Sequence, residues 1–438
     1  MIITPEQHDH AKKLIDFIDQ SPSPWHAVRS IATRLEKAGY QELEESLPWH
    51  IVPGGNYFVI RGHSSLIAIK AGTEAPEDTG FRIIGAHTDS PTLRVKPKAA
   101  ICSDQMLRLG VDIYGGPLLA TFTDRDLSFA GQISVRTAHG IKTSLVCFER
   151  PLVRLPNLAI HLNRKVNEDG LKLQRQSELP LILQSLEKNL PSSDQFLELL
   201  SQKANRSKED ILSFELNVYD TQKGSLWGPS EEFLADSQID NLASCFSGMN
   251  AMLSSIESAH TSLCAFFDHE EIGSESYKGA DGSFLSDTLE RIHLGLTTKS
   301  DVHKIALAKS FLISADAAHA YHPNFSGSYD PQHSVRINEG PALKINPNQR
   351  YATDGQSEAR FKEICREAQV PCQTYVHRSD LSCGSTIGPM TSARLGISTV
   401  DCGAPMWAMH SLRESAGVLD QLWLTQTLST FLGMTKLP

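Results

Sequence analysis

The sequence contains no Cys-x-x-Cys pair, no apolar run of membrane-spanning length, and no internal repeat or low-complexity tract. Its eight cysteines, Cys102, Cys147, Cys245, Cys264, Cys365, Cys372, Cys383 and Cys402, are scattered, several of them in apolar stretches. That spacing points to buried free thiols in a reducing compartment. Positive charge is in deficit: 41 Lys and Arg against 51 Asp and Glu leave a formal net charge of -10, so nucleic-acid binding through a basic face is not expected. An acidic small substrate is not excluded, because one cation inside a pocket outweighs distant screened charge. The first residues, Met-Ile-Ile-Thr-Pro-Glu-Gln, lack a basic segment followed by an apolar one. The expectation is a soluble cytoplasmic protein with no membrane partner.

The 438 residues, 40% hydrophobic and 21% charged, are enough for two or three domains with a large core. Residues 5–20 predict an opening helix. A second is punctuated by Ser23 as a cap, Pro24 in the first turn, Trp25, Val28, Ile31, Ala32 and Leu35 at helical spacing, and Gly39 as a stop. The period then shortens. Residues 57–60, 66–69 and 81–84 are β-rich runs between glycine-containing turns, and the last delivers His87 and Asp89 to a strand's carboxyl end. In open α/β sheets that edge is where ligands bind.

From residue 95 to 236 the texture differs. Leu107, Leu109, Val111 and Ile113 alternate with polar or small residues, as do parts of 127–135 and then Phe214, Leu216 and Val218. This predicts antiparallel strands with one buried face, an inserted β-rich domain, with one or two short surface helices in the polar stretch 187–210. Asp240 then opens a helix whose apolar stripe is Leu242, Cys245, Phe246, Met249, Met252, Leu253 and Ile256. Strand-like runs (262–267, 311–314, 373–376, 397–400) alternate with helical ones (285–294, 358–368, 418–432). Such alternation predicts an α/β fold with a mainly parallel central sheet flanked by helices. The division is a catalytic domain in two parts, 1–94 and 237–438, around the insertion 95–236.

The chemistry concentrates in Phe266-Phe267-Asp268-His269-Glu270-Glu271-Ile272-Gly273-Ser274, where an apolar run ends in three acids and a histidine. An isolated Glu-Glu pair is ordinarily a solvated acidic turn. Four other segments change that: Gly85-Ala86-His87-Thr88-Asp89-Ser90, Ile239-Asp240-Asn241-Leu242, Ser314-Ala315-Asp316-Ala317 and Met409-His410-Ser411-Leu412-Arg413-Glu414. Each joins an apolar element to a metal-competent side chain. Together they offer two His, two Asp and the acidic pair, a donor set suited to a two-zinc hydrolase. Asp240 and Asp316 would otherwise be ordinary helix caps.

These segments, with Asp316-Ala317-Ala318-His319-Ala320-Tyr321-His322-Pro323-Asn324 and residues 344–352, resemble in order the M18 aminopeptidases, the aspartyl aminopeptidase family among the two-zinc exopeptidases. The resemblance runs nearly end to end. It implies that Asp240 bridges two zinc ions, with His87 and Asp316 completing one site and Glu271 and His410 the other; Mn or Co are alternatives. Glu270 becomes the general base acting on a metal-bridging water, and Asp89 orients the His87 imidazole. Lys344 and Tyr351 would recognise the substrate's acidic side chain, and His322 is a substrate-binding candidate. His161, in Ala159-Ile160-His161-Leu162, would reach a neighbouring subunit's active site.

The implied activity is removal of an N-terminal Asp or Glu from peptides by a homo-oligomer, often of twelve subunits, in which the insertion makes contacts. Alternatives are a two-zinc aminopeptidase or dipeptidase of neutral or broad preference and a non-catalytic scaffold or cargo protein, against which the intact Glu270 argues. A glycosidase is disfavoured because adjacent Glu270 and Glu271 are poorly placed to flank a sugar bond. His269 beside the acidic pair receives no role, and His293, His303 and His377 are taken as structural or surface residues.

Overall fold

The computed structural model describes residues 3–186, 194–297, 299 and 302–438. The chain forms two compact units. The larger comprises the chain up to Asp89, Gly224–Met409 and Glu414–Pro438; the smaller comprises Ser90–Lys223 and His410–Arg413.

The larger unit is built on a nine-stranded mixed sheet. Four adjacent strands at its middle, Thr261–Phe267, Phe81–His87, Phe311–Ala315 and Ser398–Gly403, run parallel. On one side Ser65–Lys70 and Asn56–Arg61 add antiparallel, with Gln41–Leu43 parallel beyond them; on the other Ala342–Ile345 adds antiparallel and carries Gln373–Val376 parallel to itself. The sheet is therefore parallel at its centre and mixed toward its edges. Because both faces are covered, the central strands read as continuous apolar runs rather than alternating ones. The pleat still sorts them. Cys264 and Phe266 enter one core with Ile84, Ile313 and Val400, while Leu263, Ala265 and Phe267 enter the other with Phe81, Ile83 and Leu312.

Helices cover both faces. Pro5–Asp19, Pro24–Lys37, Ile239–Ser254, Gly355–Glu367 and Val418–Gly433 close the first core, and Phe284–Leu296, His303–Ala308 and Ile387–Leu395 the second. Ser23 stands at the N-cap of Pro24–Lys37 as expected, but its hydroxyl bonds the His26 Nδ1 at 2.7 Å instead of a backbone N–H. The stripe expected on Ile239–Ser254 is also corrected. Nearly every residue from Ile239 to Met252 is buried, because the helix lies between the sheet and Val418–Gly433, bonded through Thr425 to Ser247 at 3.0 Å. Ile256 falls beyond the helix end and is 78% exposed. A second sheet of five short strands pairs Phe233–Asp236 with Glu414–Gly417 inside the larger unit, so this strand does not join the sheet of the smaller one.

The smaller unit is a six-stranded antiparallel sheet. Strands Met106–Tyr114, Leu127–Thr137 and Ile211–Asp220 bury Leu109, Val111, Phe129, Ile133, Leu216 and Val218 on one core. In the polar stretch expected to hold surface helices, Asp194–Ala204 is helical and Lys208–Asp210 forms a 3-10 turn, while 187–193 lie outside the described residues. The helix is not wholly superficial, since Phe196 and Leu200 enter the core. The eight cysteines are unpaired, and no helix among the described residues is long and apolar enough to cross a membrane.

One glycine links fold to site. A Cβ at Gly403 would lie 1.7 Å from the main-chain oxygen of Asp316, whose N–H donates to Cys402 O at 2.8 Å. Gly403→Ala is expected to push these strands apart at a cost of about 1–3 kcal/mol or more. The check is thermal unfolding against Gly433→Ala, where a Cβ meets nothing within 4 Å; equal midpoints for the two variants would contradict the packing argument.

Candidate metal centre

The carboxyl ends of three adjacent parallel strands converge. Phe81–His87 delivers His87, Thr261–Phe267 runs into Asp268 through Glu271, and Phe311–Ala315 runs into Asp316; Phe267 is the register partner of His87. Asp240 arrives from the irregular first turn of Ile239–Ser254, where Asp240 and Asn241 have non-helical backbone angles. Asn241 Nδ2 donates to Ala315 O at 2.8 Å, and the Asp240 N–H donates to Glu414 Oε2 at 3.0 Å. This turn is thus tethered to the central sheet through Asn241 and to the five-stranded sheet through Asp240.

His87 is buried at the middle of this arrangement. Its Nε2 lies 3.6 Å from Asp240 Oδ1, 3.9 Å from Asp316 Oδ1 and 4.0 Å from Glu270 Oε2. Its Nδ1 lies 3.0 Å from the main-chain oxygen of Asp89 and 3.5 Å from Asp89 Oδ1. That contact fixes the ring's outer nitrogen and leaves Nε2 aimed at the acids. Ligand-competent atoms of His87, Asp240 and Asp316 all lie within 4.8 Å of one another, as do those of His87, Glu270 and Glu271.

Asp89 does more than the sequence suggested. Its two carboxylate oxygens accept the N–H groups of Glu270 and Glu271, each at 3.1 Å. Both donors face one way because His269 adopts a left-handed backbone, φ 68°, ahead of the short 3-10 turn Glu270–Ile272. Successive N–H groups following such a residue form an anion-binding concavity. His269 itself bonds Ser276 Oγ through Nδ1 at 2.8 Å, and Asp268 is buried against Lys278 Nζ at 3.1 Å and the Ser64 hydroxyl at 2.6 Å.

The electrostatics follow from this crowding. Burial, then repulsion from Asp316, Glu271 and Asp89, hold the Glu270 carboxyl well above its usual range, with His87 opposing. For His87, burial disfavours the charged ring, but Asp240, Asp316, Asp89 and Glu270 outweigh it and hold the imidazole well above its ordinary value. Buried acids with one imidazole among them require positive charge. A nitrogen and several carboxylate oxygens within mutual reach fit zinc, and also Mn or Co.

The remaining expected residues divide. Lys344 is 3% exposed, with Nζ 3.8 Å from Asp316 Oδ1 and 5.4 Å from the Tyr351 ring centroid. His322 stands apart from these contacts: its Nδ1 accepts the Asn324 N–H at 3.2 Å, and its ring packs on Phe325 and Trp407. His410 belongs to the segment His410–Arg413 of the smaller unit, where its Nδ1 lies 3.0 Å from Gly116 O; its chain neighbours Met409 and Glu414 belong to the larger. His161 lies in an exposed turn of the smaller unit, flanked by exposed Ile160 and Leu162.

Three residues beside Lys344 carried no role in the sequence analysis. His319, Tyr375 and His377 have ring centroids within 5.8 to 6.4 Å of one another, and Tyr351 lies 6.4 Å from Tyr375. His319 is exposed to solvent, yet the groups packed around its ring, then Lys344, lower its pKa. The signal available was His319 in the segment that begins at Asp316, where weight went to His322.

The chain is 44% identical over 427 residues to a probable M18 family aminopeptidase 2 of Pseudomonas aeruginosa (strain UCBPP-PA14), covering 97% of this chain and 98% of that protein. Among solved structures it is similar to a chain of the cryo-EM structure of the Ape4 and Nbr1 complex, with TM-score 0.94, 37% identity, and 99% and 87% of the two chains covered. It also matches the mApe1 dodecamer of S. cerevisiae, with TM-score 0.85, 27% identity, and 96% and 95% covered. The family model described as aminopeptidase I zinc metalloprotease matches residues 17–432, so the chain belongs to the M18 family and is a zinc metalloaminopeptidase, a hydrolase acting as an exopeptidase.

Proposed function

We propose that this enzyme removes an N-terminal Asp or Glu from peptides, on the fold of the two-zinc exopeptidases, using two ions per subunit. Asp240 would bridge them, His87 and Asp316 holding one and Glu271 and His410 the other. The observation that carries the acidic preference is Lys344: a buried ammonium 3.8 Å from Asp316 and over the Tyr351 ring. A cation and a phenol can satisfy a desolvated substrate carboxylate, and a site built around such groups penalises apolar side chains.

When bound, the metal polarises the scissile carbonyl and lowers the pKa of water. Glu270 takes a proton from the attacking water and returns it to the leaving amine. Its position depends on Asp89, which holds the N–H groups of both Glu270 and Glu271 and also orients His87. Lys344 and Tyr351 hold the side chain of the residue removed, with His322 as a further substrate contact. The unpaired thiols favour a cytoplasmic setting.

We extend the proposal to a homo-oligomer. The yeast structure similar to this chain is a dodecamer. The exposed turn carrying His161, with Leu158, Ile160 and Leu162 also exposed, suits burial against another copy. In this reading His161 binds substrate in a neighbouring subunit.

Glu270→Gln is expected to retain both metal equivalents while losing on the order of 100-fold or more in turnover. Metal analysis of the purified variant checks this, since loss of one equivalent would make Glu270 a ligand instead. Lys344→Ala is expected to reduce kcat/KM on Asp-terminated peptides far more than on Leu-terminated ones, and equal losses would remove the acidic reading. For His161 the expectation is complementation: coexpressed His161→Ala and Glu270→Gln subunits, isolated as mixed assemblies through two tags, regain activity that neither has alone. No recovery would place His161 within its own subunit's site or outside catalysis.

A further inference from the structure

The strands Ala342–Ile345 and Gln373–Val376 pair in parallel with Lys344 opposite Tyr375. In-register neighbours project from the same face, and so does a residue two further along an extended chain. Lys344, Tyr375 and His377 therefore line one surface. Tyr351 closes it from beside Tyr375, and His319 from the side of Asp316 and Asp240, with which it interacts electrostatically.

The hydrogen bonds give His377 a direction. The Tyr375 hydroxyl lies 2.6 Å from His377 Nδ1, and burial raises the pKa of that phenol, so it keeps its proton. We assign the hydroxyl as the donor to Nδ1, its one hydrogen-bond partner among the described residues. That assignment places the N–H of the neutral imidazole on Nε2. That atom is buried and has no hydrogen-bond partner in the structure. A buried donor without an acceptor is costly, and the face it shares with Lys344 is the one proposed above to receive a carboxylate.

We propose that His377, held by Tyr375, is a further specificity-determining residue whose Nε2–H donates to the acidic side chain of the residue being removed, alongside Lys344 and Tyr351. This rests on the acidic-substrate reading. A hydrogen bond to a buried carboxylate that a neutral side chain cannot make would appear as selectivity and not as general rate.

The test measures kcat and KM of the zinc-loaded full-length enzyme on Asp-, Glu- and Leu-terminated fluorogenic amides for wild type, Lys344→Ala, His377→Leu, His377→Gln and Tyr375→Phe. His377→Leu is expected to lower acidic-over-neutral selectivity on the order of tenfold or more, chiefly through KM. His377→Gln, which keeps an N–H near the Nε2 position, is expected to recover most of that loss, and Tyr375→Phe to fall between. Equal loss on all three substrates would make His377 a structural residue. If wild type prefers acidic substrates and Lys344→Ala removes that preference while His377→Leu keeps it, the His377 assignment alone is overturned. A wild type without acidic preference would overturn the underlying reading as well.

Discussion

Like charges forced together are the constraint on which this structure turns. Asp89, Asp240, Asp316 and Glu270 surround one imidazole, with Glu271 beside them, where buried strands end and a buried helix begins. Carboxylates so placed repel one another and lose hydration, so they persist only where something positive sits among them. Part of the compensation is local: Asp89 is met by two backbone N–H groups and by His87, and Asp268 by Lys278 and Ser64. Lys344 offers one more cation at 3.8 Å from Asp316. The remainder is left to zinc, and that is why a cluster costly to the bare protein is useful in the loaded one.

The scaffold around it is arranged to resist this repulsion. The acidic residues adjoin elements that cannot shift without disturbing a core. Glu270 and Glu271 follow Thr261–Phe267, every residue of which is buried, and Asp316 follows Phe311–Ala315, equally buried. Asp240 sits at the irregular start of a helix packed on all sides. Placing charge at the end of a rigid element limits how far repulsion can spread the donors, the preorganisation a metal or catalytic site requires.

Much of this was legible in the sequence because the informative signals are local. An apolar run breaking into His87-Thr88-Asp89, or into Asp268-His269-Glu270-Glu271, announces a strand end with metal-competent side chains on it. The alternation of Leu107, Leu109, Val111 and Ile113 likewise shows one buried face. Several features were not legible, each for a physical reason. The sheet's strand order depends on pairings between distant segments, such as Thr261–Phe267 with Phe81–His87. The helix Ile239–Ser254 looked amphipathic because Ser244, Ser247 and Gly248 count as polar or neutral, whereas their small size lets neighbours approach: a Cβ at Gly248 would lie 3.3 Å from Ile84. The second role of Asp89 depends on the left-handed His269, a backbone state that residue type only weakly predicts.

The pocket beside Lys344 shows where local signals stop. His377 and Tyr375 lie some sixty residues from Asp316, Tyr375 within an unremarkable strand and His377 just after it, so nothing in their own segment marks them. Their proposed role rests on register, which sets Tyr375 opposite Lys344, and on one hydrogen bond between Tyr375 and His377 Nδ1. The metal centre and this pocket share Asp316, since the carboxylate that faces His87 also faces Lys344. In the proposed arrangement a metal held by Asp316 would weaken that carboxylate's hold on the ammonium and leave it freer to pair with a substrate. Selection and catalysis would thereby be joined through one side chain, the cation proposed to choose an acidic residue becoming more available when the proposed centre is loaded.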